Sequence, residues 1–191
     1  MSMTEEKVLD YLADEVVKKL ATKFTRAVFP VGISNRHLHL SADHLALLFG
    51  AGSQLTPKRM LIQPGQYAAE QVVMVVGPRG CLRDVRIIGP LRKQTQIELA
   101  RTDCIAIGIE APLRVSGNLQ GTPGCVLVGP RGSVTLAEGV IVAARHIHLE
   151  PARAAALGLA DRQMASVTVP GERGVRFEQV IIRPGTRCSR R

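Results

Sequence analysis

The pentad Arg36-His37-Leu38-His39-Leu40 returns almost letter for letter as Arg145-His146-Ile147-His148-Leu149. The chain has five histidines, and four of them lie in these two pentads. His-apolar-His is a strand period, so both imidazoles of a pair project from one face. Two neutral imidazoles two residues apart on a rigid strand make a chelate for a borderline-soft divalent metal. The repeat also extends past the histidines. Ser41-Ala42-Asp43-His44-Leu45 leads into an apolar stretch ending at Gly50, and Glu150-Pro151-Ala152-Arg153-Ala154 leads into another through Leu157-Gly158. Each copy predicts strand, cap and short helix, with Ser41 or Glu150 near the cap and Pro151 in the first turn. Two related half-structures would then face each other across a cleft. The division falls near Ala143 to Arg145: residues 27–144 form a first unit and 145–191 a second.

The rest of the chain predicts a mainly β protein. Gly-Pro turn signals at Gly77-Pro78, Gly89-Pro90 and Gly129-Pro130 separate β-branched runs such as Val72–Val76 and Val85–Ile88. Further strands are expected at Thr95–Leu99, Cys125–Val128, Val140–Ala144, Ala165–Val169 and Val175–Ile182. Many short strands with few helices suggest two compact β-barrels. Residues 1–26 stand apart: Val8, Leu9, Leu12, Val16, Leu20 and Phe24 recur at helical spacing, with Thr4 as the N-cap. That amphipathic stripe packs on the body of the protein or docks on a larger shell assembly. The longest apolar run, Val72–Val76, is too short to span a bilayer, and no signal-peptide core precedes it. A cytoplasmic protein without membrane attachment is expected. Its four cysteines (Cys81, Cys104, Cys125, Cys188) lack C-x-x-C spacing and read as reduced thiols.

A net charge of +9 calls for an anionic partner. Nucleic acid fits poorly, because aromatics total 3% and Trp is absent, leaving few stacking platforms. The arginines instead recur singly in strand-like segments (Arg79, Arg83, Arg86, Arg92). That spacing suits a phosphate or a nucleotide-bearing cofactor.

A catalytic zinc takes three protein ligands and keeps one position open, so a His-x-His pair needs one more group. Glu98 is the candidate, an acidic residue in the basic stretch Gly89-Pro90-Leu91-Arg92-Lys93-Gln94-Thr95-Gln96-Ile97-Glu98. Its other reading is a surface ion pair with Arg92 or Lys93. His44 reads as exposed or as part of a helix cap.

Three segments together resemble the PduL-type phosphate acyltransferases (phosphate propanoyltransferases). They are Gly32-Ile33-Ser34-Asn35-Arg36-His37-Leu38-His39-Leu40-Ser41, the Gly89–Glu98 stretch and Arg145-His146-Ile147-His148. The resemblance runs from about Pro30 to Arg183. It implies exchange of an acyl-CoA plus phosphate for an acyl phosphate plus CoA, on two β-barrels holding two zinc ions in their cleft. By the resemblance His37, His39 and Glu98 hold the first zinc, and His146 and His148 the second. Arg92 binds phosphate as the catalytic arginine, and Ile33, Ser34, Asn35, Arg79 and Arg86 contact CoA. It also implies work inside a bacterial microcompartment, reached through the N-terminal segment; the sequence itself leaves the oligomeric state open, a homo-oligomer included. The family's third histidine on the second zinc has no counterpart here: the sequence continues from Arg183 as Pro184 to Arg191, and no histidine follows His148. This predicts a shortened second unit and a weakened second site, with Cys188 chemically able to substitute. Rival readings are another His/Glu metalloenzyme using iron or manganese, a nucleic-acid-binding barrel, and a catalytically impaired CoA-binding relative.

Overall fold

The structure is a computed structural model describing residues 15–16, 27–63 and 65–185. Of the helix expected over Thr4 to Phe24 only Glu15 and Val16 are described, both helical; the rest of it and Cys188 lie outside the described residues.

The first His pair forms a short strand, β1 (His37–His39), buried in the middle of the larger sheet. Its alternation explains the placement, since Leu38 and Leu40 are fully buried in the main core while the histidines take the other face. Helix α1 (Ala42–Phe49) follows, capped as the sequence predicts: Ser41 Oγ accepts the His44 backbone N–H. Next come the edge strand β2 (Pro57–Met60) and the long hairpin β3 (Tyr67–Gly77) and β4 (Gly80–Gly89), turned at Gly77-Pro78. Strand β5 (Gln96–Glu98) lies antiparallel to β1, while β4 lies parallel to its other side.

Helix α2 (Arg101–Ile107) and strand β6 (Leu113–Arg114) lead to β7 (Cys125–Val128), β8 (Ser133–Leu136) and β9 (Val140–Ala143). The order β6-β9-β5-β1-β4-β3-β7-β8, with β2 on β3, makes a nine-stranded curled sheet. The Val140 N–H donates to Pro123 O, tying the chain entering β9 to the chain entering β7.

The second His pair opens β10 (His146–Leu149), followed by α3 (Pro151–Ala156), β11 (Met164–Val169) and β12 (Val175–Pro184). These strands form a separate sheet ordered β10-β12-β11. The repeat therefore extends to pairing: each His-x-His strand lies parallel to a long strand, β1 on β4 and β10 on β12. The caps differ, because Pro151 starts α3 but Glu150 makes no side-chain cap bond. Leu149, Ala154 and Ile182 form the small sheet's own apolar cluster. Phe29, grouped with the first unit by sequence order, packs against that cluster under the Arg153 guanidinium, 4.8 Å from its ring centre.

Candidate functional site

Register assembles the site. In the antiparallel pair β1–β5, His37 sits opposite Glu98 and His39 opposite Gln96. Cross-strand partners share a face, so two imidazoles, one carboxylate and one carboxamide converge. One donor atom from each of His37, His39 and Glu98 lies within 4.8 Å of the others. Glu98 is not the surface ion-pair residue of the alternative reading: its side chain is only 11% exposed and lies against His37, with Nε2 and Oε2 3.5 Å apart.

The outer ring nitrogens fix which atoms face inward. His37 Nδ1 donates to Asn35 O at 2.8 Å, and His39 Nδ1 donates to Ile88 O at 3.1 Å. A carbonyl only accepts, so both Nδ1 atoms carry hydrogen, and in a neutral imidazole so held Nε2 is the atom with a lone pair for a cation. Burial, Arg92 and His37 hold the His39 imidazole down to about pKa 3, so it is neutral in ordinary buffers. Nε2 of His37 thus lies against a Glu98 carboxylate oxygen, and the neutral His39 ring adds a second imidazole to the group. Such a cluster asks for a cation, and its donor set suits zinc or another borderline divalent ion. The residues present fit a metal.

Arg92 stands beside the cluster. Its backbone N–H donates to Leu40 O, fastening the segment before β5 to the end of β1. With His39, Gly65, Gln66, Gly89 and Pro90 it lines a cavity of about 260 Å³. Burial lowers its pKa, Glu98 raises it, and Arg183 lowers it again. Arg183 belongs to β12, so the small sheet brings a second guanidinium toward this cavity. Two guanidinium groups close enough to repel one another suit an anion between them.

The second pair repeats the first. His146 Nδ1 donates to Ala144 O, two residues back, just as His37 does to Asn35 O. The rings of His146 and His148 meet edge to face at 4.7 Å. Burial, His146 and Arg183 lower the His148 pKa. Among the described residues no third ligand group joins this pair.

The other expected residues lie around this core. Ile33, Ser34 and Asn35 are exposed on the approach to β1. Arg86 pairs with His37 in register but spends one guanidinium nitrogen on the Ala69 and Glu70 carbonyls. Arg79 sits at the β3–β4 turn against Gly108, roughly 20 Å along the strand from Arg86 at about 3.3 Å per residue. His44 is half-buried and fastens α1 to the start of β5 through Thr95 Oγ1 at 2.8 Å. Sequence reasoning passed over Gln96, Ser116 and Arg183. Gln96 had a readable signal, its two-residue spacing from Glu98, while Ser116 reaches the site on a loop that no periodicity marks.

Fold and cluster together define a class: a mainly β protein offering a divalent cation two imidazoles and a carboxylate, next to a half-buried arginine. A family model described as phosphate propanoyltransferase matches residues 30–190. Among similar proteins, the phosphate propanoyltransferase of Thermotoga maritima is 49% identical over 154 residues, 80% of this chain and 73% of that one. That of Salmonella typhimurium is 49% identical over 173 residues, covering 90% and 82%. That of Rhodobacter capsulatus is 45% identical over 182 residues, covering 95% and 83%. The chain belongs to the phosphate propanoyltransferase family, and it is an acyltransferase.

Proposed function

We propose that this chain is a zinc-dependent phosphate acyltransferase. It interconverts a short-chain acyl-CoA, propionyl-CoA or a close analogue, and phosphate with the acyl phosphate and CoA. The observation that carries the reading is the convergence of His37, His39 and Glu98 beside the Arg92 cavity. His37, His39 and Glu98 hold the first zinc, which would supply Lewis-acid stabilisation of developing negative charge. His146 and His148 hold a second, weaker one, for which Cys188 is the further candidate ligand.

Arg92 binds phosphate through its planar fork and offsets repulsion between phosphate and the anionic CoA. A phosphate oxygen attacks the thioester carbonyl carbon, forming a C–O bond. Collapse of the tetrahedral oxyanion breaks the C–S bond, and the phosphate proton passes to the departing sulfur, giving CoA thiol. No covalent acyl-enzyme is needed. Burial raises the pKa of Cys104 and pushes that of Cys125 up to about 12, so neither supplies a thiolate.

CoA lies along the exposed segment Ile33, Ser34 and Asn35, with Arg86 and the more distant Arg79 meeting its phosphates; an extended cofactor of this kind spans such a distance. Residues 27–144 and 145–191 act as two β-barrel units around the cleft. Two separate sheets with two apolar clusters support that division. The N-terminal segment directs the chain to microcompartment shell proteins. No described helix is long and apolar enough to cross a membrane.

The test is release of free CoA thiol from propionyl-CoA by zinc-loaded protein, with and without phosphate. Phosphate-dependent release is the expected result. A second reading, a catalytically impaired CoA-binding relative, draws on the second pair, which no third ligand group joins among the described residues. It predicts CoA binding without release, and that outcome would overturn the acyltransferase reading.

A further inference from the structure

Gln96 is a glutamine where a strand facing a core would ordinarily carry an apolar side chain, and it is 1% exposed. A buried carboxamide is costly unless its donors and acceptor are used. All of them are. Its Oε1 accepts the Gly117 backbone N–H at 2.7 Å. Its Nε2 donates to Glu98 Oε1 at 2.5 Å and to Ser116 Oγ at 2.8 Å. This set fixes the amide orientation, since a flipped amide would turn its oxygen toward the carboxylate and its nitrogen toward an N–H. On the far side, Arg92 Nη1 donates to the same Ser116 Oγ at 3.2 Å. A continuous path therefore runs from His37 Nε2 through Glu98, Gln96 and Ser116 to the Arg92 guanidinium.

The consequences are specific at both ends. By occupying Glu98 Oε1, Gln96 leaves Oε2 turned toward His37 Nε2, the orientation a shared cation needs. By accepting from both Gln96 and Arg92, Ser116 uses both lone pairs and keeps its own hydrogen to donate. The same oxygen anchors one arm of the Arg92 fork, leaving the other arm for an anion.

We propose that Gln96 is a positioning residue that couples the cation-binding carboxylate of Glu98 to the anion-binding guanidinium of Arg92, with Ser116 as the shared joint. The proposal rests on the reading of the site as a metal-dependent phosphate acyltransferase. Filling either half of the site then favours the geometry of the other. Removing Gln96 loosens both halves, whereas removing the Ser116 hydroxyl loosens only the arginine.

The experiment compares the full chain with Gln96→Leu and Ser116→Ala. Zinc affinity is measured by competition with a chromophoric chelator, and the phosphate KM and kcat by thiol release. Gln96→Leu is expected to weaken zinc binding about tenfold or more and to raise the phosphate KM. Ser116→Ala is expected to keep zinc affinity within about twofold while raising the phosphate KM more than it lowers kcat. If Gln96→Leu fails to fold, Gln96→Met, of matching length, carries the same expectation. Unchanged zinc affinity in a folded Gln96 variant overturns the coupling, as does an unchanged phosphate KM in Ser116→Ala. Wild type that binds zinc yet shows no phosphate-dependent release would instead overturn the acyltransferase reading, and the zinc comparison would still decide the role of Gln96.

Discussion

His39 carries the clearest pH signature in the molecule. Its ring is buried, and burial with the nearby Arg92 and His37 lowers its pKa from 6.5 to about 3. The unfolded chain takes up a proton that the fold refuses. The stability from this residue is therefore fully present above pH 6.5 and is lost as pH falls toward 3. Metal-free wild type should lose thermal stability across that window more steeply than His39→Gln, followed by circular dichroism in matched buffers. Parallel curves would mean that the imidazole is not held neutral. Arg92 makes a second prediction at this scale. Lysine keeps the charge but not the planar fork, so Arg92→Lys should raise the phosphate KM about tenfold or more in steady-state thiol release. An unchanged KM would place the phosphate elsewhere.

Among elements, the register of β1 against β5 does most to build the site. A one-residue slip of β1 would turn His37 and His39 to the core face, away from Glu98, and Leu38 out of it. This part was legible: strict His-apolar-His alternation, a carboxylate at the right distance along the chain, and turn signals at Gly77-Pro78 and Gly129-Pro130. Strands β3, β4, β7, β9, β11 and β12 cover the runs predicted from β-branched residues, with β3 and β4 longer than expected. Strands β2, β6 and β8 and helix α2 were not legible. Pro57–Met60 is wholly exposed and Leu113–Arg114 is two residues long, so neither has a burial pattern to read. Their existence depends on partners distant in sequence. A close approach also decides the β7–β8 hairpin, where a Cβ on Gly124 would sit 1.8 Å from Leu136 O, a backbone atom. Gly124→Ala should lower the thermal midpoint by several degrees, on the order of 2 kcal/mol or more for such overpacking. A midpoint within a degree of wild type would show that the hairpin shifts freely.

At the scale of the molecule, two sheets with separate apolar clusters come together where Arg183 of β12 lies near enough to Arg92 to lower its pKa. The duplication was visible in the pentads, and it reaches to the matching Nδ1 bonds and parallel pairings. The sequence could not show that Phe29 crosses to pack with the second cluster, because its partners lie more than a hundred residues away. The unequal clusters carry a prediction. The larger apolar cluster draws on residues from β1 through β9, whereas the smaller centres on Leu149, Ala154 and Ile182. Hydrogen exchange should therefore open β10–β12 before the centres of β3 and β4. Uniform exchange across both would show one cooperative unit.

The claim on which the account depends most is that His37, His39 and Glu98 together hold a divalent cation. It can be isolated by removing the second pair with the double variant His146→Ala/His148→Ala and counting zinc retained after dialysis against a weak chelator. The account predicts one zinc per chain in that variant and none once Glu98→Ala is added. A double variant that retains no zinc, or a triple variant that still holds one, would contradict it.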